Sequence, residues 1–451
     1  MSALELRASA SLASIFGLRL LGMFVILPVF AIYAEHLPGG DNLTLVGVAI
    51  GAYGLTQAVL QIPFGWWSDR YGRKPVIYVG LTIFAVGSFV AAAAPNLYIV
   101  ILGRVLQGAG AISAAVMAMA ADLTREEQRA KAMAMIGSTI GLAFAVSLIV
   151  SPWLNRHIGV PGIFAMTGVL ALLAMVVVWR IVPEVVETKP NTRGGPLRAF
   201  VAVLADPQLA RVNYGVFALH AVLMALFIAI PFSLRDAGLP IGDHWKVYLP
   251  VMLGSFVLMV PPVMGQGRPG RLKPYFTGSV ALLVLSHLAL PWLSASVPLL
   301  SIFLLLFFAP FNVLEALLPT LTSKLAPAAS KGVAIGVYSS VQFFGTFVGA
   351  VLGGYAYGRW GLPGVVIANA GLLVIWLMAC MGMTSPVSSS RRSYTLPRLD
   401  AREAEALATR LRGLQGVRDA RIVTSENTAY LEVDSTRFDE HNALQLITGE
   451  T

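Results

Sequence analysis

The sequence predicts an all-α membrane protein with twelve transmembrane helices in two six-helix halves, followed by a small C-terminal α+β domain. Three observations predict it. Of 451 residues, 57% are hydrophobic and 12% are charged, about half the charge of an ordinary soluble domain, so lipid is the solvent for most of the chain. Runs of about 20 apolar residues, the length that crosses a bilayer, recur along the sequence. Short motifs repeat at a near-constant offset and divide those runs into two groups of six.

The apolar runs lie near 11–34, 44–66, 75–94, 97–119, 132–154, 160–181, 209–231, 245–266, 274–292, 297–319, 333–356 and 361–383. The first begins near the N-terminus as a signal peptide does. Arg19 interrupts it, however, and no A-x-A site follows, so an uncleaved first span is expected. Loops on one side hold fourteen lysines and arginines, from Arg70, Arg73 and Lys74 to Lys324 and Lys331. Loops on the other side hold Arg156, Arg235, Lys246 and Arg359. The asymmetry puts the basic loops and both termini in the cytoplasm.

The repeat supports the six-plus-six division. "DRYGR" (Asp69 to Arg73) follows the second span, and "GRPGR" (Gly267 to Arg271) follows the eighth, 198 residues later. "RAKAMAMIG" (Arg129 to Gly137) and "KGVAIGVYS" (Lys331 to Ser339) enter the fifth and eleventh spans, offset by 202. Residues 1–182 and 209–383 are therefore the two halves. The loop 183–208 joins them, and Leu197, Phe200, Val201 and Leu204 at helical spacing predict a short interfacial helix in it.

Several chemistries are excluded. Cys380 has no partner cysteine, so no disulfide or thiolate metal site is expected. The six histidines show no metal-ligand spacing, and no lysine is followed by Ser or Thr, so a Walker A loop is absent. No cofactor, metal or enzymatic constellation is predicted. The net charge of +9 does not imply nucleic acid: residues before 387 carry 23 Lys and Arg against 13 Asp and Glu, whereas the tail carries 9 against 10. The excess sets membrane topology.

After Met383 a Ser/Pro/Arg linker, 384–398, leads to a soluble domain, 399–451. "DAREAEALATRLRGL" has helical periodicity at Ala404, Leu407, Leu411 and Leu414, and "ARIVTSENTAYLEVD" reads as two strands about a turn. "STRFDEHNALQLI" opens on a Ser/Thr cap and reads as a second helix. With a leading strand at 393–396 the order is βαββα, a ferredoxin-like layer structure. The layout is shared with copper-binding domains, but the tail has no cysteine for a soft metal. It is expected to bind an unknown partner, another subunit or the protein's own cytoplasmic face.

The sharpest motif is "GWWSDRYGRKP", Gly65 to Pro75, at the cytoplasmic end of the second span. It resembles the signature of the major facilitator superfamily, G-x-x-x-D-R-x-G-R-[KR], with Gly65, Asp69, Arg70, Gly72, Arg73 and Lys74 in register. "RVLQGAGAI" in the fourth span is similar to the family's R-x-x-Q-G-x-G. The fifth span departs from the drug-antiporter signature: "GSTIGLAFAVSLIVSP" keeps Gly137 and Gly141 but lacks the proline that should follow. "LRLLGMFVILPV", "FNVLEALLP" and the appended tail are similar to one group of inner-membrane transporters in that superfamily. The resemblance spans nearly the whole chain. It implies a multi-pass protein of the bacterial inner membrane that exports a small molecule by proton antiport. Gly65, Asp69, Arg70, Gly72, Arg73 and Asp122 are expected to form a gating latch, in which Arg73 pairs with Asp122 and Asp69 meets the positive end of the eleventh helix.

Ionisable residues at membrane depth each cost at least about 2.5 kcal/mol without a partner. Arg19, Arg104, His220 and Glu315 are the candidates, in spans one, four, seven and ten, which line the central cavity in the family resembled. Glu315 is the expected proton carrier and His220 its assistant; structural pairing or snorkelling is the plainer reading for each. Gln57, Gln61, Gln107, Asn312 and Gln342 add polar points suited to helix–helix hydrogen bonds or substrate contact. Phe24, Met23 and Tyr33 belong to an apolar cavity or to packing. The expected partners are protons, lipid and a lipophilic or amphiphilic small molecule. Two alternatives remain: symport of a sugar or metabolite, and a membrane-embedded sensor with the tail as output.

Overall fold

The computed structural model describes residues 1–183, 196–265, 271–326, 331–383, 389–397, 400–424, 427–434 and 438–448. Ten described helices are long and apolar enough to cross a bilayer, and two of them, Lys131–Arg180 and Gly332–Met381, run for 50 residues each. A straight helix of that length would extend about 75 Å, more than twice the ~30 Å hydrocarbon core. Each is broken near its middle by a glycine in a conformation that other residues rarely adopt: Gly159 (φ 67°, ψ 174°) and Gly361 (φ 63°, ψ −153°). Each therefore crosses twice, and ten helices make twelve spans.

Two other spans are interrupted. The first, Leu4–Ala34, breaks at Val25–Ile26, just before Pro28. The fourth, Leu97–Asp122, breaks between Ala109 and Ser113. The helix of the first span starts earlier than its apolar run, at Ala3, because Ser2 and Glu5 form a reciprocal capping box. The helix of the second span runs from Leu43 through the "SDRY" segment and stops at Gly72, where φ is 94°.

A helix does occupy Pro196–Ala205. Its buried residue is Val203, packed with Leu209, Ala326, Ala334 and Val337, while Val201 and Leu204 are exposed. The Leu197 and Phe200 side chains lie outside the described ones, as does 184–195.

Two compact units emerge: Met1–Val263 with Phe276–Met383, and Met264–Tyr275 with Thr384–Thr451. In the second, β1 (Ser389–Thr395), β2 (Val417–Val423) and β3 (Thr428–Asp434) form an antiparallel sheet in the order β1-β3-β2. Leu396, Leu411, Ala420, Leu431, Val433 and Ala443 fill the core between the sheet and the helices Ala401–Arg412 and Glu440–Thr448. This is the expected ferredoxin-like layout, with two differences. The first strand begins at Ser389, inside the segment expected to be linker: "SSRRSYT" has no apolar alternation, and its pairing with β3 from Ser389↔Asp434 to Thr395↔Thr428 makes it a strand. The last helix is capped by Asp439, whose Oδ1 accepts from the His441 amide, rather than by a Ser or Thr.

Within the first unit, spans two and eleven meet backbone to backbone. A Cβ on Gly47 or Gly354 would collide with the Ala350 or Leu43 carbonyl, and one on Gly51 would sit 2.9 Å from the Phe347 Cα. These contacts lie toward the end opposite the DRYGR loop. Nearer that loop, a Cβ on Gly332, Gly336, Gly137 or Gly141 would meet no atom within 4 Å. Spans two and eleven are thus closely packed at the end opposite the DRYGR loop.

Candidate functional site

The N-terminal half carries its charge in two buried arginines. Arg19, in the first span, is 3% exposed. Its Nη1 donates to Ser113 Oγ at 2.6 Å and its Nη2 to Gln57 Oε1, and Gln57 in turn donates to Gln61 at 3.3 Å. Ser113 reaches Arg19 because the break at residues 110–112 restarts the fourth helix there; Gly110 permits the break by packing against the Gly80 carbonyl. The Nε of Arg19 has no acceptor.

Arg104 is 1% exposed and fully engaged. Its Nε and Nη2 donate to the Ala49 and Ile50 carbonyls at 3.4 and 3.2 Å, and its Nη1 to Gln107 at 2.9 Å. Gln107 passes the network to Ser88 at 2.8 Å, and Thr167 donates to Ser88 at 3.3 Å. Arg104 thus staples the fourth span to the second. Both guanidiniums lie over the Tyr53 ring, Arg19 at 5.8 Å and Arg104 at 5.0 Å, a favourable use of its π face. Among the described residues, neither arginine pairs with a carboxylate.

The C-terminal half carries a titratable cluster. His220 Nδ1 is 3.0 Å from the Val216 carbonyl, and its Nε2 is 2.7 Å from Gln342 Nε2. When the Gln342 amide donates to Nε2, the His220 Nδ1–H is left to donate to the Val216 carbonyl. Gln342 Nε2 also lies 3.5 Å from Glu315 Oε1, and His220 Nε2 lies 3.6 Å from Glu315 Oε2. Glu315 Oε2 is buried and has no hydrogen-bond donor. Spans seven, ten and eleven thus converge on one carboxylate.

Aromatic rings join the halves. Phe144 in the fifth span packs edge-on against Phe24 at 5.1 Å and meets Phe227, Phe308 and Phe311 across the divide at 5.9 to 6.1 Å. The Tyr53 ring under the two arginines touches Phe343 at 6.4 Å, next in sequence to Gln342. The Tyr53–Phe343 contact thus links the ring beneath the two arginines to the helix that carries Gln342.

At the DRYGR loop, Arg73 donates to Asp122 at 2.9 Å, to Ser68 at 2.8 Å and to Asp69. Gly65 lets the fourth span approach, with Ala114 3.3 Å from where its Cβ would be, and Gly72 takes the positive φ of the turn. Arg70 stacks over Trp66 and Tyr71. Asp69 is half-exposed and pairs with Arg73.

Arg19, Gln57 and Gln61 gather in one cluster, Arg104 and Gln107 in a second, and Glu315, His220 and Gln342 in a third. Phe24 joins the aromatic bridge. Asn312 ties the tenth span to Ser255 in the eighth at 2.9 Å. Tyr33 sits two residues from Glu35, against Phe30. Sequence reasoning missed Ser113, Tyr53, Phe144 and Phe343, whose roles depend on which helices meet. It also missed His287, buried in the ninth span between Phe303 and Phe307 at 5.8 and 5.6 Å.

Known proteins show the same architecture. The chain is 42% identical over 445 residues to the inner membrane transport protein YajR of Escherichia coli K12, covering 98% of both chains. It is 25% identical to the quinolone resistance protein NorA of Staphylococcus aureus, over 74% of this chain and 86% of that protein. Among solved structures, a bacterial homolog of the human lysosomal transporter Spinster superposes with a TM-score of 0.69 at 14% identity, over 84% of this chain and 98% of that one. The sequence profile of the Major Facilitator Superfamily matches residues 12–345. The chain belongs to the major facilitator superfamily and is a multi-pass membrane transporter.

Proposed function

We propose that this transporter is a proton-coupled antiporter of the bacterial inner membrane, exporting a lipophilic or amphiphilic small molecule by alternating access. The observation that carries the reading is the Glu315–His220–Gln342 cluster, a carboxylate at membrane depth with one oxygen that has no hydrogen bond among the described residues. Proton antiport requires that proton and substrate each lower the other's affinity. Glu315 supplies this when a substrate group able to donate a hydrogen bond competes with the proton for Oε2. His220 tunes it, since a proton on Nε2 would convert the Gln342 contact from acceptor to donor and turn the amide.

Both termini and the DRYGR loop are taken as cytoplasmic, so the close packing of spans two and eleven lies on the periplasmic side. In this state Arg73 holds Asp69 and Asp122 together. The latch reading is that, on outward opening, Asp69 moves to the amino end of the eleventh helix. The resistance named for NorA adds weight to export. The test is proton-driven uptake into everted vesicles: Glu315→Gln mimics the protonated acid and should abolish it while leaving the melting temperature near wild type. A sharp loss of thermal stability with an unchanged pH dependence of residual transport would make Glu315 structural instead.

A further inference from the structure

We propose that the transported compound is a zwitterion: Arg19 receives its anionic group and Glu315 its cationic one. This rests on the transport reading above and names the substrate class of the same site. Among the described residues of the membrane domain, two charged groups have a buried atom left without a hydrogen-bond partner, Arg19 at Nε and Glu315 at Oε2. They are complementary. The first is a donor that lacks an acceptor, and the second is an acceptor that lacks a donor. They belong to opposite halves of the transporter, and neither satisfies the other.

Arginine is not deprotonated in proteins, so the positive charge on Arg19 is permanent. The charge is buried, and its described partners are the neutral Ser113, Gln57 and Tyr53 ring. A buried charge without a counter-ion costs several kcal/mol, and neutral acceptors recover only part of that. Arg104 is the internal control: Nε, Nη1 and Nη2 all donate, so it needs nothing further. The Tyr53 hydroxyl, on the ring beneath Arg19, is a second buried group with no partner. An oxyanion on the substrate would supply acceptors for both, and a charge-assisted bond of this kind is about twice as strong as a neutral one.

Glu315 alone would accept a simple cation, but such a cation would leave the permanent charge of Arg19 without a counter-ion. A simple anion would satisfy Arg19 and raise the proton affinity of Glu315, so that anion and proton would travel together. Only a compound with both charges keeps the competition with the proton that antiport needs while also neutralising Arg19. Phe24, Phe144 and Phe311 offer the apolar surface for the rest of the molecule.

The test uses three naphthyl probes and the purified full-length protein, with no ion gradient. The zwitterion is N-(2-naphthylmethyl)-4-aminobutanoate. The corresponding N-butyl ammonium keeps the cation alone, and 4-(2-naphthoylamino)butanoate keeps the anion alone. Ligands that bind the folded state raise its melting temperature. The zwitterion should stabilise at a concentration at least about tenfold lower than either single-charge probe, the scale of one lost bond to a charged group. In Arg19→Gln the zwitterion should fall to the level of the ammonium. In Glu315→Gln it should fall to the level of the carboxylate. Equal stabilisation by a single-charge probe, no stabilisation by the zwitterion at millimolar concentration, or a zwitterion advantage that survives Arg19→Gln overturns the proposal. The wild-type ranking decides by itself if Arg19→Gln does not fold. Loss of the proton reading is distinguishable, because it shows in vesicle transport and leaves this ranking intact.

Discussion

Arg235, at the end of the seventh span, donates to Glu35, at the end of the first, at 2.6 Å and joins the two halves at the end opposite the DRYGR loop. A second bond at 3.4 Å makes the pair a fork. Both side chains are partly solvated, and such pairs contribute up to about 1 kcal/mol. Glu35→Arg should therefore shift the balance between states by about fivefold, toward opening at that end. Spin labels across the first and seventh spans would report a longer distance population, and the swap Glu35→Arg with Arg235→Glu should restore the short one. No shift in the single variant would make the pair a bystander.

The glycine seam predicts a larger effect. Gly47→Val places side-chain atoms where the Ala350 carbonyl now lies, so spans two and eleven cannot close as observed. Inserting bulk into packed helices costs about 1–3 kcal/mol, enough to abandon this state. Transport should be lost, and a cysteine near the seam should become accessible from the periplasmic side. Retained transport with an inaccessible seam would contradict the account.

Arg73 is held by both Asp69 and Asp122, so either carboxylate can be neutralised without releasing it. If Asp69 also serves the eleventh helix in the outward-open state, Asp69→Asn should raise the inward-open population. Cysteine accessibility from both faces measures this, and an unchanged pattern would remove the latch role.

In the tail, Tyr394 donates its hydroxyl to Glu440 at 3.0 Å, joining β1 to the last helix. Burial and that carboxylate push its pKa up to about 12. The folded state therefore favours the neutral phenol. Its contribution is complete below the ordinary tyrosine value of about 10 and is lost as pH rises through about 12. Hydrogen exchange of tail amides should accelerate across that window in the wild type, and Tyr394→Phe should flatten the dependence. Equal slopes would dismiss the contact.

A zwitterion exchanged one for one with a proton moves one net charge per cycle. An imposed membrane potential should therefore drive export of the naphthyl zwitterion even when the pH gradient is zero. Transport that ignores the potential would require a different stoichiometry or a different substrate charge.

The residues alone determined the twelve spans, the two halves, the basic face and the βαββα tail. Apolar length, loop charge and periodicity are local properties, and each is set by the exchange of side chains between water and lipid. They also singled out Arg19, Arg104, His220 and Glu315, because a charge within an apolar run stands out wherever it points. Which charges meet was not readable. The contacts Arg19 to Ser113 and Gln342 to His220 cross 94 and 122 residues, and they exist only because breaks and glycine seams bring particular helix faces together. The same limit hid strand Ser389–Thr395, whose polar residues become a strand by pairing with β3. Tertiary structure alone decided that Arg104 is satisfied while Arg19 is left with an open donor, because satisfaction of a buried polar group is counted over all its neighbours in space.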